Sequence, residues 1–220
     1  MKFHRQPGCE QPRMQWILLP GAYMTAEDFL AAGFVEAVRL RGLPYEMVLL
    51  EATIPEVADG SALRFLQEFL RTEPRVPGCE VGLAGISLGA HLALACLARA
   101  DCGETEQAAA ARVKAACLLA PYLGPRDIVA EAGAGDGLTG WLPQAGNDDI
   151  DRRIWRWLQT GQGAVCDLHL GYGSEDRFAR GHALMARTLP PRRVDVERGA
   201  HDWPTWSRLW NLYLDRHVVA

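Results

Sequence analysis

The stretch Leu83 to Leu97, LAGISLGAHLALACL, boxes Ser87 between Gly85 and Gly89. A serine hydroxyl becomes a nucleophile when a neighbouring base takes its proton, and a helix N-terminus favours the negative charge that then develops. Glycines two residues to either side suit a sharp strand-to-helix turn, where side chains would collide and the serine itself is held in a strained conformation. The competing reading is a small residue that lets a buried helix pack closely. With four serines and 22 glycines in 220 residues, chance supplies about 0.04 such motifs, which favours the nucleophile.

A serine nucleophile needs a base, and the base an orienting acid. Of six histidines, His4 lies in the N-terminal tail, His182 on a helix and His217 at the end of the last helix, and all three read as solvated. His91 is one helical turn beyond Ser87 and reads as a helix-surface or core residue, while His169 lies inside a strand. His201, in ERGAHDWPTW, follows the strand RRVDVE at the carboxyl end where open α/β sheets place their ligands, and is the expected base. The segment GYGSEDRF supplies Asp176 as the acid, with Glu175 as the alternative; either could instead cap the next helix. Asp202 is set aside, because its own backbone points it away from its histidine neighbour.

A carbonyl under attack becomes an oxyanion, which two backbone N–H groups commonly receive. Leu88 is the first expected donor and Ala22, in the loop Pro20-Gly21-Ala22-Tyr23-Met24, the second, with Tyr23 next in line. Tyr23, Met24, Tyr122 and Trp203 are the expected substrate-binding residues. Trp141, Trp155 and Trp157 are pocket candidates too, although each alone reads better as core.

These residues must be held by a scaffold, and the chain alternates short apolar runs with longer amphipathic ones. WILLP, YEMVLL, CEVGLAG, VKAACLLA, VCDLHLGYG and RRVDVE read as strands. Between them, Thr25 opens a helix that closes near Gly42, Asp59 or Ser61 caps SALRFLQEFLRT, and HLALACLARA, FARGHALMARTL and WPTWSRLWNLYLDRH read as helices. Near-continuous apolar strands alternating with helices predict a doubly wound α/β domain with a mostly parallel sheet. Residues 121–162, rich in glycine, proline and acids before RRIWRWLQT, are far longer than an ordinary connection and read as a lid or cap, or else as a surface extension with one packed helix, on an otherwise single domain, residues 1–220.

Composition narrows the partners. With 49% hydrophobic and 23% charged residues and a formal charge of -4, no basic stripe is available for nucleic acid. No apolar run reaches the roughly 20 residues of a membrane span, and the N-terminus lacks a signal-peptide core, so the expected location is the cytoplasm. The six cysteines include Cys79, Cys96, Cys117 and Cys166 in or beside apolar segments and read as reduced, with no metal-ligand spacing. No cofactor is expected, and oligomeric state is left open.

Gly85 to Gly89, Asp176 and His201, in the order Ser, Asp, His, resemble the α/β-hydrolase superfamily from Trp16 onward. The segment His201-Asp202-Trp203-Pro204-Thr205-Trp206 is similar to the H-x-W-x-x-W ending of esterase D-like and mycolyl-transferase-like hydrolases. The resemblance implies Ser87 as nucleophile, His201 as general base, Asp176 as its partner and Leu88 as an oxyanion donor. It departs at Pro20-Gly21, where many relatives have His-Gly, and the polar leader implies that the first two strands of the full fold are missing. The implied activity is hydrolysis of a small or medium acyl ester through an acyl-enzyme; the alternatives are a thioesterase or a catalytically quiet binding protein.

Overall fold

The run MQWILL forms β2 (Met14–Leu19) and is apolar on both faces: Trp16 and Leu18 enter one core, Ile17 and Leu19 the other. Such a strand needs a sheet covered on both sides. The computed structural model, which describes residues 1–6, 8–73, 77–98, 103–134, 137–141, 149–160 and 166–218, supplies that sheet. Its other strands among the described residues are β1 (Lys2–Gln6), β3 (Tyr45–Glu51), β4 (Glu80–Ile86), β5 (Val113–Leu119), β6 (Asp167–Gly173) and β7 (Val194–Glu197). The order is β1-β3-β2-β4-β5-β6-β7, parallel throughout except for β1 against β3.

Helices cover both faces. α1 (Ala26–Ala31), α2 (Phe34–Leu40) and α10 (Trp203–Val218) pack with Trp16 and Leu18. The opposite face carries α3 (Ile54–Ala58), α4 (Ser61–Thr72), α5 (Leu88–Ala98), α6 (Glu104–Ala111), α7 (Arg126–Ala132), α8 (Ile150–Gln159) and α9 (Ala179–Ala186). α5 is apolar all round and buried along nearly its whole length, as a helix at the centre of a layer must be. This is the doubly wound α/β architecture the alternating runs predict.

Three details differ from the sequence reading. The leader is a strand: Lys2–Gln6 pairs antiparallel with β3, and Phe3 packs on Phe65 and Phe69 with ring centroids 5.0 and 3.8 Å apart. The leader thus supplies one edge strand where its polar composition predicts none. A strand carrying one apolar residue has little compositional signature, and it forms because β3 offers an unpaired edge. The helix expected from Thr25 to Gly42 is two helices, broken where Gly33 turns with φ 78°. Within 121–162, α8 buries Ile154, Trp155, Trp157 and Leu158 in the same core as α5, and Trp141 is buried with them, so these tryptophans are core residues. Positions 135–136, 142–148 and 161–162 of the expected cap, Val165 of the expected strand VCDLHLGYG, and Cys102 lie outside the described residues.

The strand order reverses between β2 and β4, whose carboxyl ends face the same crevice. At such a switch point the connections diverge to opposite sides and leave room for a ligand. Ser87 follows β4 and the Pro20–Met24 loop follows β2, so the topology alone brings them together.

Trp16 ties this sheet to its outer layer, with its ring edge-on to Trp210 and Tyr213 at 5.8 and 5.5 Å and only 1% exposed. Trp16→Ala is expected to lower the unfolding free energy by about 3–5 kcal/mol in urea titration; a loss below about 1 kcal/mol would contradict this packing.

Candidate active site

Ser87 leaves β4 with φ 51°, in the left-handed region an L-residue normally avoids. Its N–H donates to Leu119 O at 2.9 Å, extending the ladder with β5 by one bond. Its carbonyl accepts from the N–H groups of His91 and Tyr122, both at 3.0 Å. A Cβ on Gly85 would stand 2.5 Å from the Ala90 nitrogen, and one on Gly89 would overlap the Leu19 carbonyl oxygen. Gly89 is thus fixed by contact with β2, a reason the local motif does not reveal.

The three expected residues converge. His201 Nε2 is 3.0 Å from Ser87 Oγ, and His201 Nδ1 is 2.7 Å from Asp176 Oδ2. Asp176 Oδ1 accepts from the Phe178 N–H at 2.8 Å, so both carboxylate oxygens are engaged and the side chain is fully buried. Burial raises its pKa, but the bonds from His201 and Phe178 outweigh that and leave it below the ordinary aspartate value. Asp176 is therefore ionised, and an ionised carboxylate fixes the proton of His201 on Nδ1 and leaves Nε2 to face the serine. The two loops that deliver the pair are cross-linked: Ser174 N–H donates to Glu197 O at 2.8 Å and Glu175 N–H to Gly199 O at 2.9 Å.

Neighbouring acids are occupied elsewhere. Glu175 pairs at 3.0 Å with exposed Arg198, and Asp202 Oδ1 accepts from the Thr205 N–H at 3.0 Å, capping α10.

The loop after β5 forms the wall beside Ser87, and three buried side chains hold its carbonyls. His182 Nε2 donates to Pro121 O at 2.9 Å, His91 Nδ1 to Tyr122 O at 3.2 Å, and Trp155 Nε1 to Leu123 O at 2.9 Å. His182 is completely buried, which corrects its reading as a solvated helix residue. Its place at the start of a short helix gave no hint, because the helix turns that face inward. Burial drives both His91 and His182 down to about 4, so both are neutral at pH 7. His91 is a core residue, as one of its readings held, and His169 bonds Asp195 at 2.8 Å inside the sheet.

The other expected residues divide. Leu88 is the first residue of α5, so its N–H is one of the four that no helical carbonyl accepts. Ala22 is half-buried in a turn closed by the Met24 N–H to Gly21 O at 3.2 Å, with Met24 Sδ 3.2 Å from the Gly21 nitrogen. Tyr23 has φ 62° and is 94% exposed. Tyr122 is half-buried between His91 and Phe178, with ring centroids 5.6 and 6.4 Å away. Trp203 is half-buried and packs edge-on to Phe29 and Phe34 at the margin of the core; Trp206, three residues on, is buried and perpendicular to His201 at 5.0 Å. Phe178, which the sequence reading passed over, meets the His201 ring at 5.2 Å and bounds a pocket of about 270 Å³ with Pro121, Leu123 and Val129.

No protein-family model matches the chain, and no curated protein matches it in sequence. Solved structures do match. A fluorophosphonate-binding serine hydrolase of Staphylococcus aureus superposes with TM-score 0.63 at 11% identity, over 96% of this chain and 86% of that one. A monoacylglycerol lipase of Paleococcus ferrophilus gives 0.61 at 14% identity, over 100% and 99%. Acyl-protein thioesterase 2 of Zea mays gives 0.58 at 14% identity, over 99% of each. At these identities the likeness establishes the fold, that of the α/β-hydrolases.

The strain at Ser87 has a measurable consequence: Ser87→Gly is expected to exceed Ser87→Ala in unfolding free energy by roughly 1 kcal/mol, because only glycine relaxes at that φ. Equal stabilities would remove the claim of strain. The buried histidines give a second. In the unfolded chain they titrate near 6.5, so between pH 6.5 and about 4 only the unfolded state gains their protons and stability falls as pH falls. Asp151, whose carboxyl burial raises, titrates in the opposite sense, so the readout is a difference between proteins. Urea midpoints measured from pH 7 to 4 should fall less steeply for His91→Gln or His182→Gln than for the parent; parallel profiles would show that these histidines are not held neutral.

Proposed function

We propose that the protein is a serine hydrolase that cleaves a carboxylic ester of a small or medium acyl group through an acyl-enzyme. The observation that carries this reading is the hydrogen-bonded line from Asp176 through His201 to Ser87, at 2.7 and 3.0 Å, on the carboxyl edge of the sheet. The fold by itself supports many chemistries, so the site and not the likeness bears the weight.

In this reading Ser87 Oγ attacks the ester carbonyl as its proton passes to His201 Nε2. The carbonyl oxygen becomes an oxyanion, received by the N–H groups of Leu88 and Ala22. The Nε2 proton then goes to the departing alcohol oxygen, leaving the acyl group on Ser87. Water loses a proton to His201 Nε2 and attacks the acyl carbon; the acyl–Oγ bond then breaks as that proton passes to Ser87 Oγ, releasing the acid and restoring the serine and the neutral imidazole. Asp176 stays ionised throughout, orienting the ring and stabilising the transient imidazolium. A thioester follows the same steps with a thiol leaving, and the S. aureus, P. ferrophilus and Z. mays structures carry names from this range of chemistry.

A fluorophosphonate probe is expected to label the parent protein and not Ser87→Ala. On p-nitrophenyl esters, Ser87→Ala and His201→Ala should each lower kcat on the order of 10⁴-fold or more, with the double variant little worse, because such residues act as a unit. Additive losses, or labelling that survives Ser87→Ala, would assign the chemistry elsewhere.

A further inference from the structure

The pocket behind Phe178 carries a charge the triad does not use. Arg126 at the start of α7, Arg177 beside Asp176 and Arg180 in α9 all line it, while Leu123, Val129 and Phe178 make the rest of its wall apolar. Among the described residues no aspartate or glutamate lines it. Among the described residues none of the three guanidiniums has a carboxylate within 4.0 Å, although Asp127 follows Arg126 directly and Glu175 lies two residues before Arg177. Other arginines nearby are paired: Arg152 with Glu131 at 2.7 Å, Arg198 with Glu175 at 3.0 Å, and Arg208 with Glu197 at 3.5 Å.

Three like charges around one small pocket repel one another, and in a chain of net charge -4 their gathering runs against the overall balance. An anion between them removes that repulsion. The Arg177 guanidinium carbon lies 4.8 Å from the Phe178 ring centroid, a cation–π contact that keeps this charge at the pocket wall. Phe178 also meets the His201 ring at 5.2 Å, so one side chain borders both the catalytic base and the arginine pocket.

We propose that this pocket binds a carboxylate carried by the substrate, so that the ester cleaved at Ser87 is a half-ester of a short dicarboxylic acid or has its carboxylate on the leaving group. The inference rests on the hydrolase reading for the position of the scissile bond, and on the pocket alone for the charge. The apolar wall suits a short aliphatic or aromatic spacer and the arginines its anionic end; the volume of about 270 Å³ admits a small group only.

Binding is measured by calorimetry on Ser87→Ala, so that no probe is consumed. The acyl-side pair is mono-4-nitrophenyl glutarate against neutral 4-nitrophenyl valerate, and the leaving-group pair is 4-acetoxybenzoate against neutral 4-acetoxybenzamide. One anionic probe is expected to bind about tenfold or more tightly than its neutral partner, and the pair in which this occurs identifies the side of the ester that carries the charge. That preference should shrink towards unity when Arg126→Gln and Arg180→Gln are added to Ser87→Ala, and should weaken as salt is raised. Equal affinities within both pairs, or a preference untouched by the arginine substitutions, would overturn the proposal. Turnover by the parent protein is read separately: anion-selective binding without hydrolysis of any probe would sink the hydrolase reading and leave the pocket assignment standing.

Discussion

Ser87 is held at φ 51°, and the surrounding structure is arranged to keep it there. A left-handed L-residue costs on the order of 1 kcal/mol, which must be offset by contacts available only in that geometry. They come from two strands and a loop: β5 takes the Ser87 N–H through Leu119, the loop after β5 donates to the Ser87 carbonyl through Tyr122, and β2 presses its Leu19 carbonyl against Gly89. The reward is a hydroxyl lifted clear of the sheet edge, half-exposed at the start of α5, while the residues beneath it are buried.

The site sorts histidines by environment. His91 and His182 lie one layer from His201 and share its chemistry, yet burial with a backbone carbonyl as partner keeps them neutral and makes them braces for the loop at Pro121 and Tyr122. His201 has instead a buried, ionised carboxylate on one nitrogen and a serine hydroxyl on the other. The difference between the rings lies in what each one faces. A brace beside Ser87 also limits reorganisation of the loop that borders it.

Most of the sheet was legible in the sequence because its strands are largely buried on both faces and read as near-continuous apolar runs; YEMVLL and VKAACLL, each interrupted by a single charge, are examples. Ser87, Asp176 and His201 were legible because the chain order and the strand-end positions are set by topology, which local pattern reveals. What escaped depends on partners distant in sequence. β1 exists because β3 has a free edge and because Phe65 and Phe69 receive Phe3. His182 looked solvated because its burial depends on how α9 lies against the loop after β5, 61 residues away in sequence. Trp203 and Trp206 share one motif, and only packing decides that the first lies half-buried against Phe29 and Phe34 while the second is buried against the His201 ring.

The central claim is that Ser87 becomes covalently acylated during turnover, and the direct measurement is peptide mass spectrometry of protein quenched in acid while hydrolysing an ester. The account predicts an acyl adduct on the peptide spanning Gly85 to Gly89, located on Ser87, that forms and decays at rates matching turnover. Steady hydrolysis with no adduct on Ser87, or an adduct on another residue that carries the flux, would contradict it.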